Sequence, residues 1–409
     1  MLVKLFFKII LTTIFFVYVQ TDVIAVNNPT SVANNKYGIH ITDESDLENA
    51  AALVNSGGGD WGYVTFVIRT DERDTKRWQN FFDELRRLHL IPIVRIASKI
   101  NPDGWEKLNN DEIDGWISFL NSLNWVIQNR YVVVGNEVNL GKEWGGVANP
   151  EEYADYLAEF SKKLKQESGD FFIMSAALDS QAKNNKKDLD ENDYLIRMFA
   201  HKKNVMENID GLASHSYPYR PSNSDSDKAT LKHYEWELGL YKFFGVEKTL
   251  PVFITETGWM HGDNYDNGSE IATKMKLTNS DIWNDEKIVA ITPFVLNYNN
   301  PPFDHYSWVD PNGGFYAFYE TYKQFTKIVG SPVRVQSSEV VSYMLPRFLR
   351  TEFDNLYGFM YVKNTGQTIW EGYQPTSLVI NDKRTVIKPI TILSNVEPGE
   401  KTLAVYTVK

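Results

Sequence analysis

The 409-residue chain contains no cysteine. Disulfides, thiolate metal sites and cysteine nucleophiles are therefore excluded. It also lacks any excess of basic charge: 42 Lys and Arg stand against 53 Asp and Glu, a net charge of -11, with both signs mixed along the sequence. A nucleic-acid binder needs a basic stripe to neutralise phosphates, so nucleic acid is excluded as a partner. No Gly-x-Ser-x-Gly elbow and no His-Glu-x-x-His pair occurs. Serine-hydrolase and zincin chemistry have no sequence support here. Beyond residue 25 no apolar run is long enough to span a bilayer.

Apolar residues make up 43% of the chain and aromatics 14%, enough for one large core and a smaller second unit. The first 25 residues carry Lys4 and Lys8, an apolar stretch over 9–19, and Val23 and Ala25 before a cleavage point. That is the layout of a signal peptide, with an uncleaved N-terminal anchor as its alternative. The protein is thus expected to be secreted or cell-envelope associated. Residues 26–35 read as a polar linker.

From residue 36 to 330, short β-branched runs alternate with amphipathic stretches. Strands are expected at 36–41, 61–68, 91–96, 131–137, 171–178, 209–217, 251–256 and 287–297. Trp78, Phe81, Phe82, Leu85 and Leu88 recur three and four residues apart, the period of one helix face. Trp116, Phe119 and Leu123 mark a second helix, and helices are also expected at 151–165, 231–243 and 315–328. Apolar strands separated eight times by helices imply an α/β fold, a (β/α)8 TIM barrel with both strand faces covered. A doubly wound sheet would want a glycine-rich phosphate loop after an early strand, and Gly57 to Gly59 precede the second strand instead. A metal-dependent barrel hydrolase would be expected to show His-x-His after the first strand, where only His40 stands; no metal or other cofactor is expected. Residues 331–409 change texture, with alternating strands at 356–364, 377–381, 385–393 and 402–409 separated by turn residues. They read as a small all-β sandwich domain.

Barrel active sites lie where strands end at their C-terminal face. Polar residues that interrupt apolar runs there are Asn136 and Glu137 after strand four, His215 and Tyr217 after strand six, and Glu256 after strand seven. Two glutamates facing one cavity can hydrolyse a glycosidic bond, one protonating the leaving oxygen and the other attacking the anomeric carbon or activating water. Taken alone, Glu137 is as well explained as a paired structural carboxylate; its partner at 256 tips the balance toward chemistry.

With Asn136-Glu137 at strand four and Ile-Thr-Glu256-Thr-Gly-Trp at strand seven, the barrel resembles clan A glycoside hydrolases, the retaining enzymes that include family 5 cellulases and mannanases. The resemblance implies Glu137 as acid/base, Glu256 as nucleophile, Asn136 on the sugar 2-hydroxyl, Tyr217 donating to the nucleophile and His215 orienting the site. It further implies an arginine beside the nucleophile, for which both Arg69 and Arg95 qualify, and a tryptophan at the end of strand eight, where Phe294 stands instead. Trp144, Trp259, His261 and Trp308 lie in the presumed active-site loops as candidate platforms for sugar rings. In the C-terminal part, Val362, Asn364-Thr365-Gly366, Trp370 and Gly372-Tyr373 resemble immunoglobulin-like accessory modules, which implies packing or attachment and no chemistry. The expected partner is an oligo- or polysaccharide. The alternative is a catalytically silent carbohydrate-binding or surface-scaffold barrel; oligomeric state has no signature in the sequence.

Overall fold

A computed structural model describes residues 26–221, 227–344, 356–372, 375–376, 381–382, 385–386 and 390–408. The signal or anchor segment, 1–25, lies outside the described residues, as do most of the expected strand at 377–381 and the middle of that at 385–393. Among the described residues no helix is long and apolar enough to cross a membrane.

Eight parallel strands are found among the described residues: β1 (Gly38–His40), β2 (Gly62–Arg69), β3 (Leu90–Ala97), β4 (Arg130–Val134), β5 (Phe171–Ser175), β6 (Leu212–His215), β7 (Val252–Glu256) and β8 (Ile288–Ile291). Each is followed by a helix: α1 (Leu47–Val54), α2 (Thr75–Arg87), α3 (Ile113–Ser122), α4 (Pro150–Glu167), α5 (Glu191–His201), α6 (His233–Phe243), α7 (Gly268–Asp281) and α8 (Ala317–Lys323). Strands β1 to β5 pair in sequence order, and so do β6 to β8. Single parallel bridges, Met174 with Gly211 and Tyr37 with Ile291, join the two arcs into a ring.

The strands read as unbroken apolar runs because both faces are covered: all eight residues of β3 are buried, one parity facing the barrel interior and the other the helices. Inside, the rings of Tyr63, Tyr131, Phe172 and Phe253 meet at centroid distances of 5.0 to 6.4 Å. This aromatic layer fills the barrel below the level where polar side chains begin. Helix α2 buries Trp78, Phe81, Phe82 and Leu85 against the strands, and α4 starts at Pro150 with the Asn149 side chain capping the Glu152 amide.

Two elements differ from the sequence expectation. The last helix ends at Lys323, because the buried Lys327 ammonium folds back onto the carbonyls of Tyr322, Lys323 and Phe325 at 2.9, 3.1 and 3.3 Å and so terminates the helix. Residues 26–35 are tied down: Asn129 exchanges hydrogen bonds with the Asn27 backbone, Asn34 reaches the Val289 carbonyl and Asn35 that of Val54.

The C-terminal part holds strands β9 (Ser338–Met344), β10 (Leu356–Asn364), β11 (Pro375–Thr376), β12 (Ile390–Ile392) and β13 (Lys401–Val408). They form one antiparallel sheet in the order β9-β10-β13-β12-β11, with a separate hairpin at Asn381–Asp382 and Thr385–Val386. Among the described residues this is one sheet and a hairpin, not two complete sandwich layers. Its small core contains Met360, Val362, Trp370, Ile392, Val396 and Ala404.

Candidate active site

The C-terminal ends of β2, β3, β4 and β7 converge on a cavity of about 150 Å³ lined by Arg95, Asn136, Glu137, Glu143 and Glu256, with Trp105, Phe294 and Phe303 among its apolar walls. That volume far exceeds what one water needs. Two local departures from regular structure deliver the carboxylates. Strand β4 stops at Val134, and Gly135 and Glu137 then adopt left-handed backbone, φ +92° and +37°. The Glu137 amide donates to the Ala177 carbonyl at 2.9 Å, fixing this turn. On β7, Phe253 faces the interior, so strict alternation would turn Glu256 outward. The register shifts after Ser214, which pairs with Ile254 while His215 pairs with Glu256. Thr255 is the extra residue, and the bulge re-aims Glu256 to the barrel axis.

Hydrogen bonds then link the group. Arg95 donates to one oxygen of Glu256 and, at 2.7 Å, to the Asn136 carbonyl oxygen. Tyr217 donates its hydroxyl to the other oxygen of Glu256 at 3.0 Å. His215 Nδ1 lies 2.9 Å from Glu137 Oε1, and its Nε2 lies 3.7 Å from Glu256 Oε1. An oxygen of Glu137 and an oxygen of Glu256 fall within 4.8 Å of each other.

Burial alone would raise the Glu256 carboxyl, but the charges of His215 and Arg95 outweigh it and hold it down at about 2. Burial alone would lower His215, yet the charge of Glu256 and the hydrogen bond to Glu137 raise it. The imidazole thus stands between two carboxyl groups. Burial and the charge of Glu256 push the Tyr217 phenol well up, which keeps it a donor.

Of the two arginines, Arg95 enters the site. Arg69 does not: where β2 ends, its guanidinium turns to Asp71 at 3.1 Å and Glu72 at 3.0 Å. The loop aromatics are also corrected. Trp144 lines the cavity but is buried edge-on against Tyr153, its indole N–H on Glu152 at 3.1 Å, so it is wall and not platform. Trp259 packs toward Trp283. His261 binds the Ser307 carbonyl at 2.7 Å and lies against Tyr316. Trp308 is buried between Phe318 and Tyr322. The rings of Trp259, His261 and Trp308 thus join the shell and do not line the cavity. Phe294 does line it, next to a cis peptide with Val295.

Two further residues were not assigned to the site from the sequence. Glu143, in a 3-10 turn beyond Glu137, accepts from the Asn136 amide nitrogen at 3.3 Å; burial and the charge of Glu137 push its carboxyl up to about 7. His40, at the end of β1, is pushed down to about 3 by burial and by Arg95, and among the described residues neither ring nitrogen has a partner.

A second buried group joins Glu191, His233 and Glu237 between α5 and α6. The Ala229 amide donates to His233 Nδ1 at 3.2 Å, so the neutral ring carries its proton on Nε2, facing Glu191 at 3.1 Å. A metal would need that lone pair. The group is a proton-bearing tie between two helices. His215 has both ring nitrogens directed at carboxyl groups, Glu137 on one side and Glu256 on the other.

No model of a protein family matches this sequence, and no curated protein matches it either. Solved structures do share its fold. A GH39 β-xylosidase from Caulobacter crescentus superposes with a TM-score of 0.52 at 12% identity, covering 81% of this chain and 78% of the xylosidase. A glucosidase from Croceicoccus marinus superposes with a TM-score of 0.53 at 9% identity, covering 90% of this chain and 82% of the glucosidase. At such identities the likeness shows the fold, a barrel of the kind these glycosidases use.

Proposed function

We propose that the chain is a retaining glycoside hydrolase that cleaves O-glycosidic bonds of an extracellular or envelope glycan by double displacement. The observation that carries this reading is the short separation of the two carboxylates, with oxygens of Glu137 and Glu256 within 4.8 Å. Retaining pairs stand ~5–5.5 Å apart, whereas inverting pairs stand ~6.5–9.5 Å apart to admit a water between them. The extracellular placement is supported by the secretory layout of residues 1–25, and the clan A assignment by the Asn136-Glu137 and Glu256 motifs on this fold.

Glu256, anionic and held from both sides, attacks the anomeric carbon as Glu137 gives its proton to the departing glycosidic oxygen. The bond to the leaving sugar breaks and an ester to Glu256 forms. Glu137, now a carboxylate, takes a proton from water; the water oxygen displaces Glu256 and restores both groups. A sugar hydroxyl in place of water would give transglycosylation by the same steps.

The test is the anomeric configuration of freshly released product, followed by proton NMR on a panel of aryl glycosides and polysaccharides. Retention is expected, and inversion overturns the mechanism. Glu256→Ala should abolish hydrolysis of an activated aryl glycoside while circular dichroism is preserved; unchanged activity would remove Glu256 from its role.

A further inference from the structure

Asn136 is flanked by two groups whose chemistry leaves it one orientation. Arg95 offers only donors, so the amide oxygen must face it, as it does at 2.7 Å. The amide nitrogen then faces Glu143, whose Oε2 lies 3.3 Å away. Flipping the amide would set N–H against N–H on one side and oxygen against oxygen on the other. Among the described residues the second N–H of Asn136 has no acceptor. It is the donor left over for a ligand in the cavity that both residues line.

We infer that Glu143 is a positioning residue: it locks the Asn136 amide so that its remaining N–H meets the hydroxyl next to the reacting carbon of the sugar. The inference rests on the hydrolase reading above and adds a residue that touches neither the reacting carbon nor the leaving oxygen. Through Asn136 and Arg95, Glu143 is also the far end of a hydrogen-bond chain that reaches Glu256. A misdirected amide would cost on the order of 10- to 100-fold in rate, the scale at which small misplacements act.

The experiment compares an activated aryl glycoside with its 2-deoxy analogue. Glu143→Ala should lower kcat/KM by about 10- to 100-fold on the parent and by less than about threefold on the 2-deoxy substrate. Asn136→Ala should show the same pattern, and the double variant should be no worse than Asn136→Ala, because both act on one contact. Glu143→Gln keeps an acceptor oxygen without the charge and should recover most of the loss.

Equal losses on both substrates, additive effects in the double variant, or a Gln variant as poor as the Ala variant would each overturn the inference while leaving the hydrolase reading intact. An inactive wild type across the panel would overturn both. Melting temperatures of the four variants against the wild type separate a folding defect from misdirection, since a defect in folding lowers activity on both substrates alike.

Discussion

Glu256 has one oxygen on Arg95 and the other on Tyr217; against the cost of burial, the charges of His215 and Arg95 hold this carboxylate ionised. With its carboxyl held at about 2, Glu256 stabilises the fold above the ordinary carboxylate range, and this contribution is lost as pH falls toward 2. Tyr217→Phe removes one donor to the charged form, so the carboxyl must titrate higher. The acid limb of kcat/KM should move upward in pH and the plateau should drop by about tenfold or more; an unmoved acid limb would show that the phenol does not hold the anion. The carboxylates, Asn136, His215 and Tyr217 were legible in sequence because each breaks or ends an apolar run. The arginine was not, since strand parity favoured Arg95 and nearness to the strand exit favoured Arg69. Glu143 was hidden for another reason: beside Lys142 in a polar loop it looks like any surface charge, and only the 3-10 turn carries it into the cavity.

At the scale of elements, periodicity located all eight strands, yet it could not supply the two irregularities that build the site. A strictly alternating β7 would hide Glu256 among the helices; the single extra residue at Thr255 brings it inside. A regular end to β4 would leave Glu137 on the strand axis, and left-handed backbone at Gly135 and Glu137 turns it across the barrel. Helices α1, α5 and α7 were the least legible; length is not the reason, since α7 runs to 14 residues, but its buried face holds only Ile271, Ala272, Met275 and Thr278. Helix α7 shows what defines such an element instead. The Asn267 side chain accepts from the backbone amides of Ser269 and Glu270, and the Asn267 backbone amide donates to the Glu270 carboxylate, a reciprocal capping box. Asn267→Ala should therefore destabilise the protein by about 1 kcal/mol in urea unfolding, with kcat/KM unchanged since the cap does not line the cavity. A shift below about 0.3 kcal/mol would mean that packing alone holds the helix start.

For the whole molecule, the question is how the C-terminal sheet is joined to the barrel. The contact is polar and buried. Gln367 donates to the Ile127 carbonyl at 2.8 Å and accepts from the Val335 amide at 2.9 Å. Its own carbonyl takes the Nε proton of the buried Arg86 at 2.8 Å, and Asn124 donates to Gly366 at 2.9 Å. The resemblance of the Asn-Thr-Gly segment to accessory modules implied packing or attachment; this loop packs onto the ends of α2 and α3. Nearby, exposed Arg87 forms a two-pronged ion pair with Glu397 at 2.8 and 2.7 Å. The two features should differ in worth. Losing Gln367 strands the part-buried Val335 amide and the buried Ile127 carbonyl, a cost of about 2 kcal/mol, whereas an exposed ion pair contributes at most ~1 kcal/mol and less in salt. Differential scanning calorimetry of Gln367→Ala and Arg87→Ala checks this. The first variant should lower the main transition by several degrees or split off an earlier one, as the sheet loses its hold on the barrel. The second should melt close to wild type, more closely still at high salt. If Arg87→Ala proves the more damaging, the surface ion pair joins the two units and the buried loop merely fills space.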